Sequence, residues 1–181
     1  MTSPEWLIRP ARKDDGPLLA AFTCADHACP WQVEVEEFIQ KQLLNDWALA
    51  PGAVDDDPRL RLGFTVDGEH FGVAAHEKVI LGRTNGLNFA ATKIEVVAIS
   101  TAWQGRRFVS GDRASDVLMS AVMSDVAQRV PPRDARVFAI VHEDNHRSLS
   151  LLRRHGLSDE MSRPDPRYRR PITAHRAEGA R

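Results

Sequence analysis

The sequence predicts a mixed α/β domain (α+β, one mixed sheet) of about six to seven strands, with an antiparallel meander and flanking helices. Three observations predict it. The runs RLRLGFTV, FGVAAHEKVIL and FAATKIEVVAIS follow one another with only turn-forming residues between them, as the strands of a meander do. The third of these leads into a long amphipathic segment and then into another apolar run, ARVFAIVHE, the strand–helix–strand order of a crossover. Helix-patterned segments precede the meander and follow the crossover, so both can cover the sheet.

The elements can be justified in order. EWLIRP is a short strand in which Trp6 and Ile8 alternate with Leu7 and Arg9, and Pro10 limits it. Asp14 or Asp15 can cap the following helix, which carries Leu18, Leu19 and Phe22. WQVEVEEFIQKQLLNDWAL is a second helix with Val33, Phe38, Leu43 and Trp47 near one face. PGAVDDDPRL is a loop, and its aspartates Asp55, Asp56 and Asp57 read as a solvated tip. Asp67-Gly68 turns the first hairpin of the meander and Asn85-Gly86 the second. Ile94 to Ile99 is almost continuously apolar, which suits a central strand covered on both faces.

After that strand, Ala114, Val117, Leu118, Ala121 and Val122 recur at helical spacing, and the helix ends before Pro131-Pro132. DNHRSLSLLRRHG is a compact helix capped by Asp144 or Asn145 and stopped by Gly156. The remainder reads as one or two short strands. Residues 1–173 form a single domain in this reading and 174–181 a frayed basic tail.

Composition narrows the function. A formal net charge of −1 argues against a general nucleic-acid binder. No apolar run approaches the roughly twenty residues of a membrane span, and the opening residues lack the apolar stretch of a signal peptide, so the expectation is a cytoplasmic protein without a membrane partner. Cys24 and Cys29 flank His27 in CADHAC, but no second cysteine pair exists, so neither a metal site nor a disulfide is expected.

One junction asks for a chemical explanation. In VVAISTAWQGRRFVSGDRASDVLM a buried strand gives way to a helix through a glycine-containing, arginine-rich turn. A helix N-terminus offers backbone N–H groups and a favourable dipole to an anion such as pyrophosphate. Gly105 permits close backbone approach, Arg106, Arg107 and Arg113 add charge, and Ser110 can cap the helix.

The arrangement resembles the GNAT superfamily of acyl-CoA-dependent N-acyltransferases. Their donor motif after the fourth strand usually reads Gln/Arg-x-x-Gly-x-Gly/Ala, and here Gln104 stands at its start. A later signature, Asn-x-x-Ser/Ala followed by Leu and Gly-Phe, is similar to NHRSLSLLRRHGL, with Asn145, Ser148, Leu151, Gly156 and Leu157 in step. The element order is similar from about Leu7 to Ile172. The sequence departs from the pattern as well. The two motif glycines fall at Arg107 and Val109, Gly111 suggests a loop extended before the helix, and the family's frequent tyrosine acid falls at Leu152.

The resemblance implies direct attack of a primary amine on the thioester of acetyl-CoA, used as co-substrate without a metal. It implies that strand four splays from strand five and that pantetheine pairs with Val97 and Ile99. The carbonyl is then polarised by an N–H near Ala98, and the pyrophosphate lies on Gln104, Gly105, Arg106, Arg107, Ser110 and Gly111. Asn145, with Ser148, contacts the pantetheine arm or holds the strand–helix turn. Glu95 is the first candidate base and His142, with Glu143, the next. Tyr168 is the lone tyrosine able to replace the missing acid, if the tail folds back. The acceptor is a small-molecule or protein amine, and family members are often homodimers. The competing readings are a non-catalytic acyl-CoA-binding or regulatory module of the same fold, and an interaction domain without CoA.

Overall fold

The computed structural model describes residues 5–47, 58–82, 88–129, 136–142, 144–165 and 170–177. The loop aspartates Asp55 to Asp57, the Asn85-Gly86 turn, Glu143 and Tyr168 lie outside them. Among the described residues there are seven strands: β1 (Trp6–Pro10), β2 (Arg59–Thr65), β3 (His70–Gly82), β4 (Asn88–Ile99), β5 (Val137–His142), β6 (Leu157–Asp165) and β7 (Arg170–Ala177). The helices are α1 (Gly16–Ala20), α2 (Pro30–Glu37), α3 (Ala114–Arg129) and α4 (His146–Arg154). Strand order is β1-β2-β3-β4-β5-β7-β6. β1 runs antiparallel to β2, β4 parallel to β5, and β7 antiparallel to both β5 and β6. The mixed sheet and the crossover through α3 are as the sequence predicts.

Contacts divide the chain into two compact units, Met1–Ala75 with Val96–Ala121, and His76–Glu95 with Val122–Arg181. In the first, Leu19, Phe22, Ile39, Leu43, Leu60, Leu62, Val73, Ala75, Val96 and Ala98 form the core. Burying each of the larger side chains contributes about 1.5–3 kcal/mol before the entropy of ordering is subtracted. Gly72 makes a close approach possible there. A Cβ on it would stand 2.9 Å from the Ala98 carbonyl oxygen and 3.0 Å from both Ile99 Cδ1 and Leu118 Cδ2. Arg9 and Asp15 form a bidentate pair at 2.7 and 2.6 Å, and Asp15 also accepts the Arg12 N–H at 2.7 Å. The Arg9 hydrogen bond holds the Asp15 carboxyl below its ordinary value, and the same bond raises Arg9.

The second unit buries Ile94, Val137, Ala139, Leu149, Leu151, Leu152 and Leu157. His76 is fully buried, and its Nε2 lies 2.9 Å from Asp125 Oδ2 on α3. β7 continues to Ala177, pairing with β6 at Leu157.

Three local expectations are corrected. The second helix is α-helical only to Glu37, and Phe38–Trp47 continues in wider turns of the i→i+5 kind. Glu36, Ile39 and Leu43, three and four positions apart, point inward, while Val33 is exposed. Asp15 does not bond the start of α1, since its carboxylate serves the single 3-10 turn before it. Ser110 does not cap α3, which begins at Ala114 with the Arg113 carbonyl taking the first bonds from Asp116 and Val117.

Candidate functional site

The junction after β4 is a built turn. The Ser100 N–H donates to Phe71 O at 2.9 Å, so the last step of β4 is still tied to β3. Eight residues earlier, the Thr92 N–H donates to Arg136 O beside β5 at 2.7 Å. One helical turn, Thr101–Trp103, follows β4. Gly105 then turns the chain at φ +75°, with nothing within 4 Å of where a Cβ would stand.

Residues 106 to 113 fold back on themselves. Phe108 N–H donates to Asp112 O and Gly111 N–H to Phe108 O, both at 2.9 Å, and Arg107 bridges to Arg113. Phe108 is buried and anchors the turn against Trp6, Phe71 and Trp103 at centroid distances of 4.9, 5.4 and 5.1 Å. Its neighbour Val109 is 97% exposed. This explains a departure noted in the sequence: where the motif has glycines, an aromatic plug and a left-handed Gly111 shape the turn instead. Arg106, Arg107 and Arg113 are exposed at the start of α3. The Ser100 Oγ and Trp103 Nε1 atoms are buried, and among the described residues neither has a hydrogen-bond partner.

Several of the predicted ligands make bonds that shape the turns they stand in. Gln104 Nε2 donates to the carbonyls of Cys24 and Ile99, so this side chain braces the turn. Ser110 gives its N–H to Glu5 Oε2 at 3.2 Å and its hydroxyl to Asp112 Oδ2 at 3.0 Å. Both of its donors are therefore satisfied by carboxylates. Asn145 Oδ1 accepts the Ser148 N–H at 3.1 Å, which is a helix N-cap, and Gly156 ends α4 at φ +80°. Leu152, at the tyrosine position, is buried in the second unit.

The candidate bases are also placed. Glu95 and Lys93 lie on one face of β4 and pair at 2.6 Å. His142 Nδ1 accepts the Asp144 N–H at 3.2 Å, so the neutral ring carries its proton on Nε2.

Sequence reasoning did not single out a further constellation. Glu36 is buried on α2, and its Oε2 accepts the N–H groups of Cys24 at 2.8 Å and Ala25 at 3.3 Å. Its Oε1 is 2.6 Å from His27 Nε2. His27 has φ +58°, alone among the described non-glycine residues in being left-handed, at a cost of about 1–2 kcal/mol. No residue-type pattern announces this conformation. Burial, with the nearby Glu36 charge, pushes the Cys24 thiol up to about 12, so Cys24 is not a nucleophile at neutral pH. Burial likewise lowers His70, which lies against Phe22 and Phe64 with Nε2 3.1 Å from Gly72 O. No group of side chains able to hold a metal occurs among the described residues, and no described helix is long and apolar enough to cross a membrane.

No family model and no curated protein matches the sequence. Solved structures match its shape. A protein from Desulfovibrio desulfuricans assigned to the GNAT acetyltransferases superposes with a TM-score of 0.65 at 17% identity, over 97% of this chain and 99% of that one. This is the GNAT fold. A mutant of the toxin AtaT, bound to the C-terminus of the antitoxin AtaR and acetyl-CoA, shares the GNAT fold at a TM-score of 0.63 and 13% identity, over 97% and 95% of the chains. Arabidopsis thaliana Naa50, in complex with a bisubstrate analogue, gives 0.60 at 10% identity, over 97% and 99%.

Proposed function

We propose that the chain is an N-acetyltransferase that moves the acetyl group of acetyl-CoA to a primary amine by direct attack. The observation that carries the reading is the turn from Ser100 to Arg113. Three exposed arginines and a left-handed glycine sit in the turn between β4 and the sixteen-residue helix α3. That combination suits a pyrophosphate. Two buried donors at the exit of β4, Ser100 Oγ and Trp103 Nε1, are further groups that a bound molecule or water would satisfy. Acetyl-CoA complexes of proteins with the GNAT fold support the same choice of donor.

In this reading the backbone of Val97, Ala98 and Ile99 receives the pantetheine arm and polarises the thioester carbonyl. Gly105, Arg106, Arg107, Gly111 and Arg113 receive the pyrophosphate. Gln104 and Ser110 shape the turn, while Asn145 and Ser148 shape the start of α4. Glu95, drawn to Lys93, gains a role only if the incoming amine displaces that partner. The acceptor is a small-molecule or protein amine.

Acetyl-CoA at a hundred times its dissociation constant stabilises the protein by about 2.7 kcal/mol, which raises the melting temperature by roughly 5–10 °C at this size. Thiol release with a panel of amines then reports transfer. Stabilisation without thiol release from any amine would favour a non-catalytic acyl-CoA-binding module, a reading that the buried Leu152 at the tyrosine position supports. No stabilisation by acetyl-CoA or longer acyl-CoA would remove both.

A further inference from the structure

We propose that His27 is the general base of the transfer reaction and that Glu36 is its positioning residue; this rests on the acetyltransferase reading above. A carboxylate can only accept hydrogen bonds, so the 2.6 Å contact with Glu36 Oε1 makes His27 Nε2 the donor. The neutral ring then keeps its lone pair on Nδ1. Glu36 cannot swing to another partner without abandoning the Cys24 and Ala25 N–H groups it accepts. The pair is thus a proton acceptor oriented by a buried carboxylate, the relation that general-base catalysis by histidine requires.

Location and accessibility agree with the role. The His27 side chain is 50% exposed while that of Glu36 is 6% exposed, so a soluble amine can reach one and not the other. The loop that carries His27 is stitched to the turn after β4. Thr101 N–H donates to Thr23 O at 2.9 Å, the hydroxyls of Thr23 and Thr101 lie 3.2 Å apart, and Gln104 reaches the Cys24 carbonyl. The left-handed backbone at His27 is held by these bonds and by Glu36, and conformations of this kind cluster at active sites. The other candidates are engaged differently. Glu95 is paired with Lys93, and His142 accepts at Nδ1 and so presents a donor at Nε2.

The step balances as follows. The ammonium gives one proton to His27 Nδ1. The freed lone pair forms the C–N bond at the thioester carbonyl, and the C–S bond breaks. The departing thiolate takes the second proton lost by nitrogen and leaves as the thiol, and His27 returns its proton to water.

The decisive variant is His27→Gly, because glycine adopts φ +58° without strain. It should stay folded, with a melting temperature lowered by the lost bond to Glu36, and keep its acetyl-CoA stabilisation while slowing thiol release roughly a hundredfold or more. Added imidazole should restore part of the rate. The wild-type kcat/KM should rise with pH as the base loses its proton, and the variant should lose that dependence. Glu36 from α2 contacts the His27 ring, and Cys24, Asp26 and Cys29 are the other titratable residues of its loop, so Glu36→Gln should shift the same limb while leaving acetyl-CoA binding intact. His27→Gln provides the second variant should the glycine loosen the loop. Wild-type thiol release together with near-wild-type rates and an unchanged pH profile in both His27 variants would overturn this proposal alone. A wild-type protein that releases no thiol would overturn the acetyltransferase reading and this proposal together.

Discussion

Two turns in this protein leave a parallel strand and enter a helix, and they are held in opposite ways. At the end of β5, the turn is held by bonds between near neighbours in the chain. Asn145 N–H donates to His142 O, Leu149 N–H to Asn145 O, and Ser148 N–H to the Asn145 side chain. At the end of β4, the turn depends on Glu5, Thr23, Cys24, Trp6 and Phe71, which come from distant parts of the sequence. A motif residue whose bonds are all local is sufficiently explained as a cap. A turn that recruits five remote residues is constrained beyond what ending a strand requires.

The comparison can be broken at its most consequential point by Phe108→Ala. Removing the plug should cost about 3–5 kcal/mol in urea unfolding and abolish the acetyl-CoA stabilisation. A full loss of stability with donor binding retained would mean that the shape of the turn is irrelevant to the ligand. Next in size are Gly105→Ala and Gly156→Ala. The two glycines have φ +75° and +80° and open space around them, so each substitution should cost about 1–2 kcal/mol of backbone strain. Calorimetry with acetyl-CoA should then separate them, with weaker binding only for Gly105→Ala. Equal binding by both variants would erase the distinction between the turns.

Asn145 gives the smallest effect and the sharpest test of its own role. Asn145→Ala should cost about 1 kcal/mol, and Asn145→Asp, which preserves the cap, should restore it. Acetyl-CoA affinity should be unaltered in both. Weakened affinity in the aspartate variant, at full stability, would show that the side chain touches the donor.

Much of the architecture was legible because its signals are local. Asp67-Gly68 turns a hairpin wherever it occurs between alternating strands, and Gly68 has φ +85°. Asn145 and Gly156 bracket α4 by backbone rules that operate within a few residues. The same locality misled at Ser110, whose nearest partners are Glu5 and Asp112 and not the helix. It misled at Val33, because the inward stripe of this helix runs through Glu36, Ile39 and Leu43, and the charged Glu36 gives no hydrophobic signal. The Glu36–His27 pair was illegible for a related reason: its members stand nine positions apart, one on α2 and one in the loop before it, and only the folded loop brings them to 2.6 Å.

From its residues alone this chain determined which segments are strands and helices, the order in which they come, and the arginine-rich junction after β4. Periodicity, turn chemistry and caps act over a few positions, so they are written in the sequence itself. Only tertiary structure decided that Gln104 reaches the Cys24 carbonyl, that Phe108 shapes the turn the motif glycines would have shaped, and that Glu36 holds His27. Those are contacts between residues remote in sequence, and their partners are chosen by packing.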